Sequence, residues 1–324
     1  MRAYVVRRIL VLIPTLFLVS IMVFFLVQLI PGDIIDAMRS KALDVELDRA
    51  AIEKELGLDR SIVVQYLSWL GIYPQPDGKV SGVLQGDFGS SWWQSLPVTK
   101  LIAPRWPLTL ELGVLALLIA QIIALPVGII SALRQDTWVD YIARSFAILC
   151  IAVPSFWLGS MIIVFPALWW GYMPPLMYVS LAEDIGENLR MLIVPSIVTG
   201  MAMAGMTMRM ARTMMLEVLR QDYIRTAWAK GLRERVVVMR HALKNALIPV
   251  ITLIGLQTPV LIGGTVVIEK IFSLPGMGRL LMDAVTGKDQ PLVMGIVLLF
   301  GVAMILINLI VDLTYAYLDP TVQF

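Results

Sequence analysis

One cysteine and one histidine in 324 residues leave no material for a disulfide framework or a Cys/His metal cluster. Cys150 stands inside an apolar run, where a small buried residue is its ordinary role. His241 has no second histidine to pair with and no carboxylate within a helical turn, which reads as a helix-surface residue. Charge is scarce too: 15% of positions are charged against 58% apolar, a balance that excludes a water-soluble globule and places the chain in a bilayer. A net charge of +2 supplies no dense basic face, so nucleic acid is not an expected partner. A phosphate-binding loop is missing as well. The nearest string, Gly200 to Thr207, puts Met206 where G-x4-G-K-S/T requires lysine. The chain is expected to be non-catalytic, with no cofactor or metal of its own.

Long apolar runs are what remains. Ile9 to Ile30 carries no charge and would be about 33 Å long as a helix, enough for a hydrocarbon core of about 30 Å. Arg2, Arg7 and Arg8 precede it, and no small-residue cleavage site follows, so it reads as a retained first span. Further spans are expected at Leu108 to Leu133, Ile142 to Leu168, Met191 to Met208, Ala246 to Ile268 and Leu292 to Leu318. Six spans in an all-α chain follow. Outside the long segment 31–107, Lys and Arg fall overwhelmingly on one side of such a chain, which makes both termini, including the tail 319–324, cytoplasmic. Pro126, Pro154, Pro195, Pro249 and Pro259 fall in the later runs, as suits a bundle lining a path, although proline is also simply commoner in membrane helices. Glu111 near one end and Asp312 in the last turns are the ionisable residues noticed in the spans. Their scarcity argues against a proton- or ion-coupled carrier, while a sodium site made of backbone carbonyls stays open.

The external segment 31–107 contains a short helix expected over Asp44 to Leu56, with Asp44 as cap, Gly57 as stop, and Val45, Ile52 and Leu56 on one side. It is expected to pack on the outer mouth of the bundle. Trp69, Tyr73, Trp92 and Trp93 are read as anchors at headgroup level, with partner contact as the alternative.

The most distinctive stretch is basic, Met208 to Asn245. Between Arg209 and Lys244 it carries nine Lys or Arg against Glu217, Asp222 and Glu234. Ile224, Ala227, Trp228 and Leu232 form an apolar stripe at helical spacing, Arg225, Lys230 and Arg233 point elsewhere, and Gly231 breaks or thins the helix. Periodicity and charge fit equally a helix lying on an anionic membrane surface and a docking surface for a protein.

Here the residues carry a resemblance. Asp222-Tyr223-Ile224-Arg225-Thr226-Ala227, then Ala229-Lys230-Gly231-Leu232, then Arg240-His241-Ala242-Leu243-Lys244-Asn245-Ala246-Leu247-Ile248-Pro249 resemble the EAA loop of bacterial ABC importer permeases, in the dipeptide and oligopeptide branch. Arg225, Thr226 and Lys244 depart from the general loop pattern and look like that branch's variant. Gly86-Asp87-Phe88-Gly89-Ser90-Ser91 is similar to the family's G-D-(L/F)-G-x-S element, and Thr109-Leu110-Glu111-Leu112 to its T-x-E-L start of the second span. Phe272 to Leu281 resembles F-x-x-P-G-(L/M)-G-R-L-L, while Asn308, Asp312, Tyr315, Asp319 and Pro320 resemble N-x3-D-x2-Y-x3-D-P.

The resemblance implies a type I importer permease: one half of an ATP-driven translocation pathway for di- or oligopeptides, with nickel complexes, glutathione or oligosaccharides as the alternative cargo. It implies a second homologous permease, two cytoplasmic ATPase subunits that bind ATP and Mg, and an extracytoplasmic binding protein, all in a bacterial or archaeal inner membrane among lipid. The helix from Tyr223 to Arg235 would seat in a groove on one ATPase, inside a cytoplasmic loop 209–245 of a core running from 108 to 318. Thr199, Met203, Gln257 and Thr258 are the path candidates by span position, with ordinary helix packing as the plainer reading of each. A secondary carrier or channel, and a scaffold anchored by the basic loop, are the readings of a different class.

Overall fold

The computed structural model describes residues 2–29, 48–171 and 178–318, which are helical with no strand among them. In chain order the helices are α1 (Arg2–Gln28), α2 (Arg49–Glu55), α3 (Ile62–Leu70), α4 (Val98–Ile102), α5 (Trp106–Leu133), α6 (Trp138–Ala152) and α7 (Ser155–Trp170). They continue with α8 (Ile185–Leu219), α9 (Asp222–Ala229), α10 (Glu234–Gln257), α11 (Val260–Ile271), α12 (Met277–Gly287) and α13 (Gln290–Leu318). Two compact units result, one of residues 2–29, 48–107 and 275–306, the other of 108–171, 178–274 and 307–318.

In the first unit residues of the segment 48–107 share one apolar core with α1, α12 and α13. Val23, Phe24 and Val27 of α1 pack with Tyr66 and Leu70 of α3, Val98, Leu101 and Ile102 of α4, and Met277, Leu280 and Ile296 from the α12–α13 region. Phe24 meets Tyr66 with ring centroids 5.3 Å apart, and Tyr66 shares a 2.8 Å hydrogen bond with Ser20 Oγ. Asp289, buried, fixes the Gly86 to Ser91 element: it accepts from Ser91 Oγ at 2.5 Å and from Trp92 N at 3.2 Å. Trp93 Nε1 donates to Gly287 O at 2.6 Å. Trp69 stacks near Phe24 at 5.9 Å, so Trp69 and Trp93 build this unit's interior contacts, and Tyr73 is the one of the four aromatics that is largely exposed. The short helix starts later than expected. Asp48 caps it, accepting from Ala50 N and Ala51 N, and Gly57 stops it with φ +70°; Asp44 and Val45 lie outside the described residues.

The second unit is organised by a seam of small residues. Ala116, Ala120, Ala124 and Gly128 recur every fourth position on α5, all buried, so they form one stripe that lets α8 approach backbone to backbone. A Cβ on Gly200 would sit 2.5 Å from Ala116 O, and one on Gly205 would sit 2.7 Å from Ala147 O of α6. Cys150 is buried in the same seam.

Among the described residues five helices, α1, α5, α8, α10 and α13, are long and apolar enough to cross a bilayer, and the pair α6–α7 makes six when counted as one span. Three expected spans need correction. Ile142 to Leu168 is two helices meeting at 94°, because Val153 is extended and Pro154 cannot continue the helical hydrogen bonds. Ala246 to Ile268 is likewise divided: α10 begins at Glu234 and ends at Gln257, and α11 starts after Pro259. Met191 to Met208 is only the apolar middle of α8, a 35-residue helix roughly 52 Å long. Hydropathy stops at Met208, but the helix goes on because Ala211 and Met215 still bury one face.

Candidate functional site

The basic segment is mostly helix, and its geometry is set by a stop at Gly231. Leu232 N reaches Ala227 O at 3.4 Å and Gly231 N reaches Trp228 O at 2.9 Å, the paired bonds of a left-handed C-terminal cap. Gly231 takes φ +75°, as that cap requires. The expected single contact helix from Tyr223 to Arg235 is therefore α9 followed by a turn, and Arg233 opens α10. Residues Val237–Ala242 of α10 are wound as a π-helix, a wider turn that carries Arg240 and the half-buried His241.

The predicted apolar stripe splits between two jobs. Ile224, with no exposed surface, and Ala227 pack inward against Ala132 of α5, Met215 of α8, and Val237, Val238, Ala242 and Ala246 of α10. Burying Ile224 alone stabilises this attachment by about 1.5–3 kcal/mol. Trp228 stands at the edge of the stripe and Leu232 lies beyond the Gly231 break, so both stay exposed, together with Tyr223. Asn245 Nδ2 donates to Tyr223 Oη at 2.8 Å, tying α9 to α10 across its open side. Arg225 pairs with Asp222 at 3.2 Å in solvent, and Thr226 Oγ1 donates to Asp222 O at 3.0 Å. Lys230, Arg233 and Arg235 are exposed. The result is a short helix anchored from below by Ile224 and Ala227 and presenting Tyr223, Trp228 and Arg225 outward, followed by a turn and helix start that expose Lys230, Leu232, Arg233 and Arg235.

Of the four path candidates, the structure brings two together. Gln257 Nε2 donates to Met203 O at 3.4 Å, and Thr207 Oγ1 donates to Gln257 Oε1 at 3.4 Å, so the end of α10 is knotted to the middle of α8. Thr199 and Thr258 turn back on their own helices, donating to Pro195 O at 2.8 Å and Ile254 O at 3.0 Å.

Sequence reading missed the buried ionisable groups. Asp140 in α6 and Glu269 in α11 have no exposed surface. Arg212 Nε and Nη2 each donate to Asp140 at 2.7 Å, and Thr109 Oγ1 donates to Glu269 at 2.8 Å. Arg212 falls in the basic stretch and Asp140 between two of the expected spans, and partners separated by 72 positions leave no local signal. Tyr178 Oη donates to Glu111 Oε2 at 2.8 Å; burial first and then this bond push the phenol's ionisation up, so Tyr178 stays the donor. Among the described residues no three His, Cys, Asp or Glu side chains are grouped to hold a metal.

Comparison with known proteins places this geometry. The family described as binding-protein-dependent transport system inner membrane component matches residues 124–324, and its N-terminal companion matches residues 1–113. The glutathione transport system permease protein GsiC of Escherichia coli (strain K12) is 38% identical over 324 residues, covering 99% of each chain. Its counterpart in Salmonella typhi is 37% identical over 321 residues, again covering 99% of each chain. The crystal structure of an amino acid ABC transporter with histidines matches 68% of this chain and 94% of that chain, with a TM-score of 0.52 at 13% identity, a likeness of fold. The chain therefore belongs to the binding-protein-dependent transport system inner membrane component family and is a membrane-embedded permease subunit of an ABC importer.

Proposed function

We propose that this permease forms half of the pathway of an ATP-driven importer of short peptides, with glutathione, itself a tripeptide, as the first cargo to test. The observation that carries the reading is the identity of 37–38%, running along 99% of both chains, to permeases named for glutathione transport. Di- and oligopeptides offer the same amide backbone and terminal charges, so they are the second cargo class. Nickel complexes and oligosaccharides share neither.

In this reading α9 is the docking helix. Tyr223 and Trp228 supply amphipathic rings, Leu232 an apolar contact, and Arg225, Lys230, Arg233 and Arg235 a cationic rim, the composition of a helix that seats in a groove. The groove belongs to a separate ATPase subunit, which holds ATP and Mg. A second permease completes the pathway, an extracytoplasmic binding protein delivers cargo, and both termini of this chain are cytoplasmic. The test is uptake in proteoliposomes holding the whole complex and its binding protein. ATP-dependent accumulation of labelled glutathione or a dipeptide is expected. Uptake of a nickel complex or an oligosaccharide, with no peptide accumulated, would refute the peptide reading.

A further inference from the structure

One carboxylate ties three helix ends together. Asp140 accepts from Ser131 Oγ in the last turn of α5 at 2.6 Å, from Asp136 N in the α5–α6 turn at 3.1 Å, and from Arg212 Nε and Nη2 of α8 at 2.7 Å each. Its side chain has no exposed surface, and that of Arg212 is 20% exposed. Asp136 holds φ +61°, a left-handed conformation that a non-glycine residue adopts only when its surroundings fix it, so the turn is shaped around the carboxylate. Beside it the seam has no slack: a Cβ on Gly128 would lie 2.7 Å from Met208 O and 2.9 Å from Ala211 Cβ. Arg212 sits two turns before Leu219, where α8 ends and the chain turns through Arg220 and Gln221 into α9.

We propose that Asp140 and Arg212 are positioning residues for transport: they pin the ends of α5, α6 and α8 into one lever, so that displacement of α9 reaches the spans. The proposal rests on α9 being the ATPase-docking helix. Apolar contacts alone leave helix ends able to slide and splay, because such contacts are non-directional. A forked guanidinium on a planar carboxylate has one geometry, and in a water-poor setting that geometry is stiff. Motion imposed at α9 would otherwise be absorbed at the base of the bundle, with ATP hydrolysed and no cargo moved.

The measurement is ATP hydrolysed per substrate imported by the complete reconstituted complex. Asp140→Asn keeps the shape and removes the charge, and it should raise that ratio about tenfold while hydrolysis itself continues. The double variant Asp140→Asn/Arg212→Gln separates pinning from stability, because no unpaired buried charge remains. It should assemble normally and still show the raised ratio. A wild-type ratio in either variant overturns the proposal. Trp228→Asp, on the exposed face of α9, serves as the control for docking. If Trp228→Asp uncouples and the Asp140 variants do not, the pin is wrong and the docking face stands. If all three keep the wild-type ratio, the docking reading falls and the pin falls with it.

Discussion

A Cβ on Gly128 would meet the backbone of α8, which the seam holds in place, so the position demands glycine for lack of room. At Gly231 a Cβ would meet nothing within 4 Å, and the demand comes from φ +75° instead. The two glycines therefore fail differently. At Gly231 the conformational penalty for an ordinary L-residue is about 1–2 kcal/mol, least for asparagine and greatest for β-branched side chains. Gly231→Val is expected to disorder the end of α9 and raise ATP hydrolysed per substrate, while Gly231→Asn stays near wild type, although the two side chains are of similar bulk. Equal effects from the two variants would show that size, and not backbone conformation, governs this position. Gly231 was legible in the sequence as a weak point of the helix, but the contact helix was expected to run through it to Arg235, because spacing alone does not show the left-handed cap. The need for Gly128 was not legible, since only the path of α8 reveals the crowding.

At the scale of elements, the segment between α1 and α5 is fixed where a sequence motif meets a helix end 198 positions away. Asp289 is 2% exposed and both its oxygens are used, one by Ser91 Oγ and one by Trp92 N. Asp289→Asn exchanges one acceptor for a donor, leaving Ser91 or Trp92 facing an N–H, and the buried loss is about 1–3 kcal/mol. Limited proteolysis should then cut within residues 83–97 faster than in the wild-type complex, and an unchanged digestion rate would remove Asp289 as the tether. The G-D-F-G-S-S element was legible as a motif, but its partner was not. Prolines show the same limit. Pro126, Pro195 and Pro249 sit inside continuous helices, while Pro154 and Pro259 stand at breaks. The four similar apolar runs that hold these five prolines gave no basis for telling them apart, because the outcome depends on whether neighbours hold both halves in line. The apolar runs themselves, and the inward Ile224 and Ala227, were readable because burial along a helix has a fixed period.

For the molecule as a whole, the buried ionisable groups bear on how transport is driven. Thr109 holds Glu269 and Ser131 holds Asp140, and these two donors stand 22 residues apart on α5, roughly 33 Å along the helix. Between them only Glu111, two residues from Thr109 and held by Tyr178, is titratable; residues 112–130 carry no titratable side chain, and their one amide, Gln121, has no hydrogen-bond partner. A proton relay works by short transfers between neighbouring groups, so two carboxylates at opposite ends of an apolar helix, each held by its own hydroxyl, do not make one. On the proposed reading, work enters mechanically, at the end where α8 leads into α9. Uptake by the reconstituted complex should accordingly persist with a protonophore and without sodium, and should vanish when Mg-ATP is withheld. The opposite pattern, accumulation driven by an ion gradient in vesicles containing this chain but no ATPase, would mean that these buried carboxylates carry ions after all and that α9 is not where the energy arrives.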